Sequence, residues 1–158
     1  MLAFCGQDKC SLDGNGRVKI SPRLLNDFAE NGGFDVVLYC LPEGAVAVYP
    51  LDVYAQMRTS HENAAAKAGT SMLARRSLRR FGALSHPQSI TNQGRITLPP
   101  AYRGHAGLQP GADVVIVGIE IGIEIWEASR WEQELSAINE HVMQKAELEI
   151  AEDLNGFE

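Results

Sequence analysis

The sequence predicts a β-rich α+β protein made of two pseudo-symmetric units, with a linking helix between them and a C-terminal helix after them. Three observations carry this expectation. The stretch Asp13-Gly14-Asn15-Gly16-Arg17-Val18-Lys19-Ile20 returns 78 residues later as Thr91-Asn92-Gln93-Gly94-Arg95-Ile96-Thr97-Leu98, and self-similarity at a fixed offset marks a duplicated structural unit. After each Gly-Arg step aliphatic and polar residues alternate, as in a half-buried strand. The segments between and after the copies instead space their apolar residues as helices do.

Each repeat starts from a Ser and an aliphatic residue, Ser11-Leu12 and Ser89-Ile90. Asn15-Gly16 is a strong turn signal because both residues accept positive φ cheaply. Gln93-Gly94 relies on its Gly alone. In the strands that follow, Val18 and Ile20 face inward with Arg17 and Lys19 outward; Ile96 and Leu98 face inward with Arg95 and Thr97 outward. Pro22 and Pro100 close these strands, and short helices are expected over 23–30 and 100–106. A hairpin is predicted from Val36–Cys40 and Ala45–Tyr49, turning at Leu41-Pro42-Glu43-Gly44. Its counterpart joins Val114–Ile119 to Ile121–Trp126. Tyr49 and Tyr54 match Trp126 and Trp131 at an offset of 77, and all four read as packing anchors. Each unit thus runs strand, short helix, strand, strand, helix.

The linking stretch, roughly Asp52 to Gly82, reads as helix interrupted near Gly69. Ala74, Leu78 and Phe81 share one face, with Arg75, Arg76, Arg79 and Arg80 opposite. The last helix, about Ser129 to Leu154, lines up Trp131, Leu135, Ile138, Val142 and Ala146, with mostly Glu and Gln elsewhere. The expected divisions are a first unit at 1–56, a basic helical linker at 57–85, a second unit at 86–134, and an acidic helix and tail at 135–158.

Bulk properties narrow the function classes. The chain has 158 residues, 45% of them hydrophobic, which is ordinary for a globular protein. No apolar run approaches the roughly 20 residues of a membrane span. The first residues turn polar too soon for a signal peptide, so a cytoplasmic location is expected. Cys5, Cys10 and Cys40 read as free thiols, and their spacing matches no zinc pattern. His61, His86, His105 and His141 are scattered, and none joins a nucleophile and an orienting residue. The sequence therefore predicts no enzyme, no metal and no cofactor. Net charge is −6, yet eleven acidic and two basic residues lie from Glu120 onward, against nine acidic and twelve basic before it. The repeats sit in the mildly basic part.

Two readings stand for Arg17 and Arg95. Each guanidinium could contact nucleic acid, since its fork fits a guanine edge or a phosphate. Each could instead make a structural ion pair in its own turn, as Arg17 could with Asp13. Arg75, Arg76, Arg79 and Arg80 divide likewise: they are candidate phosphate contacts, or a solvated face that pairs with the acidic helix or a neighbouring subunit.

Several motifs in this order resemble the MraZ family. They are Ser11-Leu12-Asp13 with Gly16-Arg17-Val18 and Ile20, then Gly94-Arg95-Ile96 with Leu98-Pro99, then Ile123-Glu124-Ile125-Trp126 with Trp131. Phe4, Gly6, Tyr49-Pro50-Leu51, Arg79-Arg80-Phe81 and Ala106-Gly107-Leu108 extend the resemblance from Phe4 to about Glu134. It implies a double-split β-barrel of two AbrB-like swapped-hairpin units. It implies a nucleoid-associated bacterial regulator that binds double-stranded DNA at short repeated boxes before a division and cell-wall gene cluster. It further implies self-assembly into rings. The implied DNA-binding residues are Asp13 and Arg17 in the first unit and Arg95 in the second, with Lys19 and Thr97 beside them on the outward faces.

The chain departs from the family pattern at Thr91, where an Asp is usual, at Asn15 for Lys, at Ser21 for Pro, and at Leu25 for Arg; Arg103 keeps that Arg in the second unit. Two alternatives follow. One is an antitoxin-like interaction module that uses the acidic segment 129–158. The other is a degenerate member that assembles but binds DNA weakly.

Overall fold

A computed structural model describes residues 3–156, so the outermost two residues of the predicted first unit and of the acidic tail lie outside the described residues. The chain forms two compact units, one ending at Glu127 and the other beginning at Ala128.

The first unit is mixed α+β. Its elements are β1 (Gln7–Ser11), β2 (Arg17–Lys19), α1 (Pro22–Glu30), β3 (Asp35–Cys40), β4 (Val46–Pro50), α2 (Leu51–Thr59), α3 (Glu62–Ala66), α4 (Met72–Gly82), β5 (Ser85–Ser89), β6 (Arg95–Thr97), α5 (Pro100–Ala106), β7 (Asp113–Gly118) and β8 (Ile123–Glu127). Six strands make one antiparallel sheet in the order β1-β7-β8-β4-β3-β5, while β2 and β6 form a separate two-stranded ribbon. Among the described residues the strands close no barrel: β1 and β5 are free edges of the sheet.

β1 and β5 lie outside the predicted pattern of each unit. Neither has a hydrophobic alternation to announce it. β1 reads Gln-Asp-Lys-Cys-Ser and β5 reads Ser-His-Pro-Gln-Ser, and each is held by backbone pairing with one neighbouring strand. β5 tolerates Pro87 because an edge strand needs hydrogen bonds from one side alone. Their pairing crosses the repeat. β1, ahead of the first turn, pairs with β7 of the second half, and β5 pairs with β3 of the first.

The core fills the space between sheet, ribbon and short helices. Val18 and Ile96 of the ribbon, with Ile20 and Leu98 just beyond it, are at most 1% exposed. They cluster with Leu24 and Phe28 of α1, Val36, Leu38, Val46 and Val48 of the first hairpin, and Ile116, Ile123 and Ile125 of the second. Both halves of the repeat contribute to this core.

The linker differs from one helix with a single interruption. It breaks into α2, α3 and α4, at Ser60-His61 and again across 67–71. Ser71 caps α4, its hydroxyl accepting the Ala74 N–H at 3.1 Å. Phe81 holds the linker together, stacking on Tyr54 with ring centroids 5.1 Å apart and on His61 at 4.2 Å.

The second unit is α6 (Ala128–Asn155), one continuous helix. Of its predicted stripe, Trp131 is buried and Leu135 half-buried. Ile138 and Val142 are exposed, as are Met143, Leu148, Ile150 and Leu154. No helix among the described residues is long and apolar enough to cross a membrane.

Candidate nucleic-acid interface

The two Gly-Arg turns share one backbone plan. In the first, the Asp13 N–H donates to the Arg17 carbonyl at 2.9 Å and the Gly16 N–H to the Asp13 carbonyl at 3.1 Å. In the second, Thr91 and Arg95, then Gly94 and Thr91, make the same bonds at 2.9 and 2.8 Å. Both turns need φ near +80°, with Gly16 at 76° and Gly94 at 84°. Only Gly takes that conformation without cost. So the weaker Gln93-Gly94 signal still builds the same turn.

The side chains differ. Asp13 Oδ1 accepts the N–H groups of Asn15 at 2.8 Å and Arg17 at 3.0 Å, and Oδ2 accepts Arg17 Nε at 3.0 Å. The Arg17 backbone amide is the largest cause holding this carboxyl below its ordinary pKa; the Asn15 amide and the Arg17 guanidinium add to it. A carboxyl with a lowered pKa favours the folded turn above its ordinary value and loses that advantage only as the pH falls through the lowered one. At neutral pH the arrangement is fully in place. In the second turn the Thr91 hydroxyl accepts only the Arg95 N–H, at 3.0 Å. Arg95 turns its Nη1 to the Gln93 side-chain oxygen instead.

The structural ion pair and an outward Arg therefore coexist at Arg17. Its pair with Asp13 is real, yet the Arg17 side chain remains 35% exposed. The carboxylate fixes one edge of the guanidinium through Nε, and among the described residues no hydrogen bond engages Nη1 or Nη2.

The ribbon brings the predicted residues together. β2 and β6 pair with Arg17 opposite Thr97, Val18 opposite Ile96, and Lys19 opposite Arg95. Directly opposed residues point to the same face of an antiparallel pair. Burial of Val18 and Ile96 thus leaves Arg17, Lys19, Arg95 and Thr97 on the outer face. The Leu98 N–H donates to the Gly16 carbonyl at 2.8 Å and the Ile20 N–H to the Gly94 carbonyl at 2.7 Å. Those two bonds clamp each turn to the other half's strand.

Arg75, Arg76, Arg79 and Arg80 sit apart, on α4, and they are not equivalent. Arg75 donates to the Ala68 carbonyl and Arg80 to the Cys40 carbonyl, both at 2.8 Å. Arg80 also lies over the Tyr39 ring, 5.4 Å from its centroid. These two tie the linker down, while Arg76 and Arg79 are exposed. Among the described residues none of the four forms an ion pair with an acidic side chain.

One residue beside the turns lies outside the predicted set. Arg103 of α5 packs its guanidinium against Gly16. Its signal was in the repeat offset, since position 103 answers position 25, where the first copy has Leu. The three thiols are free, with Cys5 exposed, Cys10 half-buried and Cys40 buried. Among the described residues no three His, Cys, Asp or Glu side chains are grouped to hold a metal ion.

Comparison with known proteins adds family information. A family model described as "MraZ protein, putative antitoxin-like" matches residues 86–152. A Thermus thermophilus protein named Transcriptional regulator MraZ is 36% identical over 126 residues, covering 80% of this chain and 83% of its own. A protein of the same name from Lactobacillus delbrueckii subsp. bulgaricus is 35% identical over 159 residues, covering 98% and 99%. Another from Pseudoalteromonas translucida is 29% identical over 155 residues, covering 98% of each.

Proposed function

The chain belongs to the MraZ family, and from that membership we propose that it is a bacterial transcriptional regulator that reads double-stranded DNA with its β2–β6 ribbon. The role is non-enzymatic, in keeping with relatives named as transcriptional regulators. The observation that carries the reading is the register Arg17–Thr97 and Lys19–Arg95, which presents three cations and a hydroxyl on one outer face. A two-stranded ribbon fits the major groove, and an Arg held by a carboxylate enters it at lower entropic cost than a free one. Asp13 orients; Arg17 reads; Arg95, Lys19 and Thr97 flank.

On this reading the crossed pairing of β1 with β7 and β5 with β3 supports two AbrB-like swapped-hairpin units, 1–56 and 86–134. Exposed Arg76 and Arg79 serve as outlying phosphate contacts, with Arg75 and Arg80 secondary because backbone carbonyls hold them. The targets are short repeated boxes before a division and cell-wall gene cluster. The working form is a ring on the nucleoid, in which avidity compensates for a modest contact per chain.

A mobility-shift assay tests this with DNA from upstream of the chain's own gene, at two salt concentrations. Binding should weaken steeply with salt, and Arg17→Ala should abolish most of it. Undiminished binding by Arg17→Ala would falsify the site. The exposed apolar residues of α6 favour a second reading, in which this acidic helix captures a protein partner.

A further inference from the structure

The two turns are faced by different side chains, and each comes from the opposite half of the chain. A Cβ placed on Gly16 would meet Arg103 Nη1 at 2.6 Å and Cζ at 2.9 Å. A Cβ placed on Gly94 would instead meet Leu25 Cδ2 at 3.4 Å. Positions 25 and 103 are equivalent in the repeat, 78 residues apart. The duplication thus places a guanidinium over one turn and an isobutyl group over the other.

Arg103 carries its charge there without compensation. Its Nε is buried with no hydrogen-bond partner, and among the described residues no carboxylate pairs with it. Burying one edge of a guanidinium unpaired costs free energy. Arg23, by contrast, pairs with Asp8 at 3.1 Å, and Arg17 with Asp13 at 3.0 Å. A cation with no counter-charge, packed against the backbone of a turn that carries Arg17, is arranged to receive an anion. Gly16 permits that approach, because any Cβ would occupy the space of the guanidinium.

We propose that Arg103 is a further phosphate-contacting residue, gripping the nucleic-acid backbone beside the Asp13–Arg17 turn, and that the second turn lacks this contact because Leu25 replaces it. The proposal rests on the reading of the ribbon as the DNA-binding surface. It makes the asymmetry of the repeat a division of labour: the first turn both reads and grips, and the second only flanks.

The test is the salt dependence of binding to a labelled duplex from upstream of the chain's own gene, measured for Arg103→Gln, Arg103→Lys and Leu25→Arg. Each phosphate contact contributes about 0.9 to the slope of log K against log salt. Arg103→Gln should lower the slope by about that amount per bound chain. Arg103→Lys should keep it, and Leu25→Arg should steepen it. A native slope in Arg103→Gln overturns the proposal. If Arg103→Gln fails to fold, as its thermal melt will show, Leu25→Arg decides, and no steepening there overturns it too. Arg17→Ala runs alongside as a control. If it abolishes binding while Arg103→Gln binds with the native slope, only Arg103 is misassigned; if neither variant changes binding, the ribbon reading has failed as well.

Discussion

Position 91 is the residue at which the two turns part company. Asp13 gives its turn two backbone bonds and one guanidinium bond, whereas Thr91 gives one backbone bond. A carboxylate offers two charged oxygens, one for the amides and one for the guanidinium, whereas the Thr91 hydroxyl offers one uncharged oxygen. Arg95 accordingly turns to Gln93. Thr91→Asp should draw Arg95 back to position 91 and stabilise the protein by about 0.2–1 kcal/mol, the usual range for an exposed ion pair. Its affinity for upstream DNA should rise as well. Chemical denaturation and a binding titration check the two effects, and unchanged affinity would show that the second Arg does not depend on its turn partner. The need for Gly at 16 and 94, and the outward direction of both Arg side chains, were legible from residue type and alternation. The contact between Arg103 and Gly16 was not, because it joins residues 87 apart in a sequence that shows no pairing between them.

At the scale of elements, Ser21 explains how α1 starts without the family's usual Pro at that position. Its hydroxyl accepts the Leu24 N–H at 3.4 Å and donates to Asp8 at 2.7 Å. Pro22 then fills the first helical position, where its missing N–H is no loss. One side chain thus caps α1 and ties it to β1. Ser21→Ala should lower stability by about 1 kcal/mol, as loss of an N-cap does. The midpoint of urea denaturation should fall with no change in its slope; an unmoved midpoint would mean that the cap contributes nothing. The hairpin strands were legible from their apolar runs and the turn between them, α1 and α5 from the Pro that closes each preceding strand, and α6 from its helical spacing. β1 and β5 were hidden because neither buries a side chain, so no apolar alternation marks them. The linker's division into three helices was hidden too, since stacking of Phe81 on Tyr54 and His61 decides where the chain turns.

For the molecule as a whole, the charge distribution suits two activities in one chain. The ribbon is cationic, while α6 is acidic and leaves Ile138, Val142, Met143 and Ile150 exposed. Deletion of residues 128–158 separates them. DNA binding lost together with assembly, as size-exclusion chromatography would report, fits a ring in which avidity supplies the affinity. Intact DNA binding with loss of a captured partner fits the interaction module. The sequence by itself determined the duplication, the inward and outward faces of β2 and β6, the acidic helix and the family, because each is written in local period, residue type or motif order. Only the tertiary structure decided that β1 pairs with β7 and β5 with β3, and that Arg17, Lys19, Arg95 and Thr97 share one face. It alone set Arg103 over the first turn and Leu25 over the second. The reason is physical: strand register and the packing of α1 and α5 onto opposite turns are long-range contacts, chosen by burial of a shared core rather than by any residue's neighbours along the chain.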